Sequence, residues 1–273
     1  MRFQSLGKPP IVLKLGGSVI TFKDREQEAN IEAIRRLAGE IAEAKPESLL
    51  IVHGGGSFGH PKAKKHGIFK GYGGERKQLL GFSETRTAML KLNSIVVEKL
   101  VEAGLPAIGL QTSALTMNRA GKISRLNLQP ILGVLRLGGI PVLYGDATLD
   151  RDWGFSICSG DDLVATLALK LRSPLTIVGV DVDGIYTSDP KTNPKAKLIE
   201  KINIGSREFG GLLGSLKGSE AVDVTGGMRR KILEIKRYVA RGGKTLIINA
   251  LKPGNVRLAL SGKRVRGTLI YKG

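Results

Sequence analysis

Lysines and glycines placed directly after short apolar runs are the residues of this chain best suited to chemistry. The run IVLKL, Ile11 to Leu15, contains Lys14 and leads straight into Gly16-Gly17-Ser18, with Lys23 a few residues on. The run LLIV, Leu49 to Val52, leads into HGGGSFGH, His53 to His60, with four glycines between two histidines. Glycine loses more backbone freedom on folding than any other residue, so such a run is expected only where bare backbone is needed. Glycine-rich turns at strand ends let N–H groups face an anion at close range, and the positive end of the next helix favours it. Two such loops on neighbouring strands would hold a chain of phosphates.

Further candidates follow other apolar runs. Gly145-Asp146 follows IPVLY (Ile140 to Tyr144), and Ser159-Gly160-Asp161-Asp162 stands at a helix start. LTIVGV (Leu175 to Val180) runs into DVDGIYTSDP, Asp181 to Pro190, and DVTGGMRRK, Asp223 to Lys231, opens a helix. Each stretch alone has an ordinary reading. Gly-Gly-Ser serves as a tight turn, Ser159, Asp223 or Thr225 as a helix cap, and Tyr186 as a packing residue of its loop. A histidine before proline, as His60 is, reads in isolation as a surface residue or cap. His53 reads as a support of the strand end, and His66, in KAKKHG, as solvent-exposed. Gly54, Gly56 and Gly59 also satisfy G-x-G-x-x-G, with Glu75 at a loosely suitable distance for a ribose contact, so a nucleotide-binding dehydrogenase is a rival. Against it, the glycines follow the second strand, and Pro61, Lys62, Lys64 and Lys65 replace the small residues such a helix needs. The phosphate loop G-x-x-x-x-G-K-[ST] is absent, because Gly243-Lys244-Thr245 is preceded by Tyr238 at its leading position.

These residues need elements to position them. Apolar runs at Ile11 to Leu15, Leu49 to Val52, Ala107 to Leu110, Ile140 to Tyr144, Leu175 to Val180, Thr245 to Asn249 and Thr268 to Tyr271 read as strands buried on both faces. One-face apolar spacing predicts helices over Ile31 to Ala44, Met89 to Ala103, Asp162 to Leu171 and Met228 to Ala240. The alternation predicts an α/β fold, a three-layer helix–sheet–helix sandwich with a mainly parallel central sheet. Ala114 to Leu126 alternates around Asn118-Arg119-Ala120-Gly121 and predicts a hairpin. Ser206 to Gly227, with six glycines and no clear period, reads as a loop-rich segment near the site.

Composition sets outer bounds. The chain has 273 residues, 41% of them hydrophobic, and no run approaches the roughly 18 apolar residues of a membrane span. The first residues, MRFQSLGKPP, lack an apolar core with a cleavage site, so secretion is not expected. The single cysteine, Cys158, allows no intrachain disulfide, fits a reducing cytoplasm and reads as a small buried hydrophobe. Net charge is +19, and Met228 to Gly273 holds 13 Lys or Arg against one acid, Glu234. Such a surface attracts phosphorylated metabolites and polyanions alike. With aromatics at 5% and no nucleic-acid motif, a basic face on an enzyme with anionic substrates explains the charge at least as well as nucleic-acid binding.

Taken together and in order, KLGGS (Lys14 to Ser18), HGGG (His53 to Gly56), SGDDLVATLA (Ser159 to Ala168), DVDGIYTSDP and DVTGGMRRK resemble the motifs of the amino acid kinase superfamily. They run from residue 14 to residue 231, nearly the whole chain. GSFGHP, with His60, and ITFK after KLGGS are similar to one branch, the isopentenyl phosphate kinases; fosfomycin kinases share the histidine in part. The resemblance implies one kinase domain over 1–273, with acceptor bound by about 1–160 and nucleotide by about 161–273. It implies ATP-dependent phosphorylation of isopentenyl phosphate to isopentenyl diphosphate, as in isoprenoid biosynthesis, by a cytoplasmic homodimer. The alternatives are a fosfomycin-, acetylglutamate- or uridylate-kinase-like enzyme, or a non-catalytic ligand-binding module. By the same resemblance, Lys14 and Lys231 hold ATP phosphates, Lys23 stabilises the transition state and Asp161 orders the lysines. Gly16, Gly17, Ser18 and Gly56 supply donors, and Asp181, Tyr186 and Gly227 border the nucleotide. Gly55, His60 and Gly160 receive the acceptor. Mg2+ arrives on the nucleotide, with no protein ligand to metal assigned. An apolar pocket for the five-carbon tail is expected between Gly67 and Ala107, with Phe82, Thr85, Met89 and Ile95 as candidates.

Overall fold

Strand pleating gives each residue of the first apolar run a side. Leu13 and Leu15 join one buried cluster and Val12 the opposite one, so Lys14 falls on the Val12 face. The computed structural model describes residues 8–188, 190, 192–215 and 227–273, and of 215 and 227–230 the backbone only. The chain runs β1 (Ile11–Leu15), α1 (Gly17–Ile20), α2 (Ile31–Ala44), β2 (Leu49–His53), α3 (Gly56–Lys65) and α4 (Arg76–Glu102). It continues through β3 (Ala107–Gly109), α5 (Thr112–Leu115), β4 (Thr116–Arg119), β5 (Lys122–Leu126), α6 (Gln129–Arg136), β6 (Ile140–Tyr144), β7 (Asp146–Asp150) and β8 (Gly154–Cys158). Then come α7 (Gly160–Lys170), β9 (Leu175–Val180), β10 (Lys201–Asn203), α8 (Phe209–Ser215), α9 (Gly227–Val239), β11 (Lys244–Asn249), α10 (Asn255–Leu260) and β12 (Gly267–Tyr271).

Eight strands form one sheet in the order β10-β12-β11-β9-β1-β2-β6-β3. All its pairings are parallel except β11 with β12. Helices α2, α4 and α10 pack on the face of Leu13 and Ile51, and α6, α7 and α9 on the face of Val12 and Leu50. The expected helix–sheet–helix sandwich is therefore present, and all seven expected strands lie in this sheet. Buried Glu40 locks one outer corner: it pairs with Arg36 and accepts the N–H groups of Val256 and Arg257 at the start of α10.

Four departures from the sequence reading have physical causes. The helix expected from Met89 starts thirteen residues earlier, at Arg76. Gly81 disguises those turns, and it is required there because a Cβ would lie 2.2 Å from Cγ of His66. His66 is accordingly half-buried and paired with Glu84 at 3.1 Å, not solvent-exposed as read. The hairpin β4–β5 belongs to a second sheet, β5-β4-β7-β8, whose other hairpin was not anticipated. The Asp150 carboxylate joins the two, accepting the N–H groups of Ala120, Gly121, Asp152 and Trp153 and the Ser156 hydroxyl. The glycine-rich segment from Ser206 contains α8; residues 216–226 of it lie outside the described residues.

Candidate active site

The site forms where β1, β2 and β9 end side by side, because parallel neighbours deliver their carboxyl ends to one edge. The two glycine loops touch there. A Cβ on Gly17 would lie 2.4 Å from the Gly56 nitrogen, and one on Gly54 would lie 2.7 Å from the Gly17 nitrogen. Gly56 has φ +46°, in the left-handed region that glycine tolerates. Thr21 ties the loops: its hydroxyl donates to Gly17 O at 2.8 Å and accepts from Ser57 N at 3.0 Å. The N–H groups of Gly17, Ser18, Gly55 and Gly56 find no acceptor among the described residues. Four open donors on two touching loops make an anion cradle.

Lys14 crosses to the face of α7 and α9. Only 6% exposed, it donates to Asp161 Oδ1 at 2.5 Å, and Lys231 reaches Asp161 Oδ2 at 3.3 Å. Ser159 accepts the Asp162 N–H at 3.0 Å and so caps α7, fixing the turn that presents Asp161. Burial alone would raise the Asp161 carboxyl, but the Lys14 and Lys231 charges reverse this and hold it at about 2. Burial lowers the Lys14 ammonium and Asp161 opposes that, while Lys231 adds to the lowering. Two lysines thus share one carboxylate beside the cradle, and the Glu234 charge also acts on Lys14. Gly160 lies against it: a Cβ there would be 3.5 Å from Lys14 Cε and 3.9 Å from Gly54 Cα.

The remaining expected residues surround this centre. Gly16 is not the donor expected from the sequence: its N–H is spent on Gly179 O of β9 at 2.9 Å. Lys23, largely exposed, meets Asp181 Oδ2 at 3.1 Å. Tyr186 is half-buried beyond β9, with its hydroxyl 3.4 Å from Asp183. Gly227 opens α9, four residues before Lys231; Asp223, Thr225 and Asp189 lie outside the described residues. His60 is exposed on α3, one turn beyond Gly56 and on the same helix face. His53 is a structural residue. It is fully buried, stacked on Tyr144 at 5.4 Å, bonded to Gly54 O and Asn93, and burial pushes its pKa down to about 4.

Beside α3 lies a separate apolar cluster of Ile68, Phe82, Ala147 and Phe155, with Ala63 packed against it. Phe82 and Phe155 stack at 5.1 Å. Met89 lies against the second glycine loop, its sulfur 2.8 Å from where a Gly59 Cβ would stand. Thr85 is buried but spends its hydroxyl on Gly81 O. Ile95 stands apart from this cluster. It lies thirteen residues along α4 from Phe82, about 20 Å by helix rise, and lines an open groove with Gln27, Phe58, Leu90 and Lys91. Thr21, Asn93 and the β7–β8 hairpin are parts of the site that sequence reasoning missed. Only the hairpin left a signal, the alternation of Ala147 to Cys158 about Asp152-Trp153-Gly154.

A family model described as the amino acid kinase family matches residues 9–249. The isopentenyl phosphate kinase of Methanothermobacter thermautotrophicus is 45% identical over 266 residues, covering 95% of this chain and 98% of that protein. The chain belongs to the isopentenyl phosphate kinases of the amino acid kinase family. The family member of Methanocaldococcus jannaschii is 35% identical over 270 residues, covering 95% of this chain and 97% of that one. A solved isopentenyl phosphate kinase superposes with a TM-score of 0.82 at 41% identity, covering 95% of this chain and 99% of its own. Among the described residues no helix is long and apolar enough to cross a membrane.

Proposed function

We propose that the protein transfers the γ-phosphoryl group of ATP to the phosphate of isopentenyl phosphate, releasing ADP and isopentenyl diphosphate. An acceptor phosphate oxygen attacks the γ-phosphorus and the bond to the β,γ-bridging oxygen breaks, so the protein's task is positioning and charge neutralisation. The observation that carries this reading is the cradle of open N–H groups at Gly17, Ser18, Gly55 and Gly56 beside the Lys14–Asp161–Lys231 group. In this reading Lys14 and Lys231 hold the ATP phosphates, and Gly16, Gly17, Ser18 and Gly56 line their path. Lys23 neutralises the transferring oxygens as a mobile point charge. Asp181, Tyr186 and Gly227 border the nucleotide, held by the part from about 161 to 273. Gly55, Gly160 and His60 receive the acceptor phosphate in the part from about 1 to 160. The cluster of Ile68, Phe82, Ala147 and Phe155 lies along the helix that carries His60, which suits a short apolar tail. Mg2+ carried by the nucleotide's phosphates would supply further charge neutralisation, and Asp161, whose two oxygens are engaged by Lys14 and Lys231, would not be its ligand. The proposal extends to a cytoplasmic homodimer, and buried Cys158 suits a reducing compartment.

The test is ADP release with ATP, Mg2+ and one acceptor at a time: isopentenyl phosphate, fosfomycin, acetylglutamate or UMP. Isopentenyl phosphate should give a kcat/KM at least about 100-fold above the others, about 2.7 kcal/mol of discrimination. Faster turnover of another acceptor would reassign the substrate, and none at all would leave a binding module.

A further inference from the structure

The loop after β9 carries two carboxylates that engage different sides of the sheet. Asp183, only 8% exposed, accepts from Lys252 at 2.7 Å, from Arg266 at 3.1 Å and from Asn249 at 3.3 Å. These contacts anchor the loop to the ends of β11 and β12. Asp181 engages the β1 side instead, where its Oδ2 lies 3.1 Å from Lys23 Nζ. The Lys23 side chain is 65% exposed and that of Asp181 21%, so the lysine is the solvated member and the carboxylate the more enclosed one. A lysine on a four-carbon stem carries much rotamer entropy, and a fixed counter-charge restricts where its ammonium stands.

We propose that Asp181 is the positioning residue for Lys23, with the Asp183 anchor setting where Asp181 stands. The proposal rests on the reading of Lys23 given above and adds to it. The ammonium is held by the same loop that carries Tyr186, so loop placement and lysine placement are one event. It also distinguishes two roles for Asp181. A nucleotide contact would show in KM for ATP, whereas a tether for Lys23 shows in kcat.

The experiment measures kcat and KM for ATP in the wild type, Asp181→Asn, Asp181→Glu, Lys23→Ala and the Asp181→Asn/Lys23→Ala double variant. An ion pair this exposed predicts a modest effect: Asp181→Asn lowers kcat about three- to fivefold, leaves KM for ATP within about twofold, and Asp181→Glu recovers part of the loss. With Lys23 already removed, Asp181→Asn costs nothing further, the signature of acting through that lysine. An unchanged or raised kcat in Asp181→Asn overturns the proposal, as does a loss that persists in full without Lys23. A raised KM for ATP with kcat intact would leave Asp181 only the nucleotide-bordering role given above, and overturns the tether. An unaffected Lys23→Ala variant would instead reject the role of Lys23, so the two failures are told apart.

Discussion

Lys23 and His60 carry opposite expectations at the scale of single residues. If Lys23 acts on the transferring phosphoryl, Lys23→Ala lowers kcat at least about 100-fold with a smaller change in KM for ATP. An unchanged kcat would remove it from that role. His60 is exposed on α3 one turn beyond Gly56; if it receives the acceptor phosphate, His60→Ala should raise KM for isopentenyl phosphate about tenfold, the value of one charge-assisted hydrogen bond, with KM for ATP nearly unchanged. Equal weakening of both substrates would make His60 a support of the loop. Asp146 provides a test of stability. Burial raises its carboxyl to about 6, with Ser113 and Arg86 opposing. The folded state thus keeps this proton to higher pH than the unfolded chain. Stability from this group is full below the unfolded value near 4 and is lost as pH rises through 6, by about 3 kcal/mol. Urea midpoints should therefore show Asp146→Asn gaining on the parent between pH 4.5 and pH 8; a gap independent of pH contradicts the assignment.

Thr21 is the pin between elements. Thr21→Val keeps the shape but orphans the buried Ser57 N–H and releases Gly17 O, at a cost of about 1–3 kcal/mol. Because both loops line the cradle, KM for ATP should rise in the same variant, and an unaltered KM would mean that the loops hold their spacing without it. The same contacts decide what valine at Gly17 or Gly56 would do. A Gly17 Cβ meets the Gly56 backbone, and a Gly56 Cβ falls 2.1 Å from Thr21 Oγ1, so both variants displace the loops as well as fill phosphate space. This shows where sequence reading reached its limit. Runs such as LTIVGV and the spacing of Ile31 to Ala44 carry their periodicity in the chain, and strands and helix lie where it put them. The glycine loops and lysines were legible as chemistry, because bare backbone beside cations has few other uses. Contacts between distant segments left no such trace. Thr21 reads as an ordinary threonine, Gly81 as a helix breaker and Asp150 as a turn residue until His66, Ser57 and the second hairpin are beside them.

For the molecule as a whole, the net charge of +19 and the basic final third concern attraction more than fold. Several of these cations are already paired, Lys231 to Asp161, Lys252 and Arg266 to Asp183 and Arg257 to Glu43. An enzyme drawing in two polyanionic substrates should lose kcat/KM as salt rises, with random DNA bound only weakly at physiological ionic strength. Tight, steeply salt-dependent DNA binding would instead make the basic face a nucleic-acid surface. What unites the two sheets, the touching loops and the apolar cluster is one proposed reaction, joining two phosphates. Phosphorus NMR of the protein with ATP, Mg2+ and isopentenyl phosphate tests that claim most directly. The account predicts paired, mutually coupled resonances of a new diphosphate monoester growing in step with ADP. Persistence of the isopentenyl phosphate signal, with ATP intact or going only to inorganic phosphate, would contradict it.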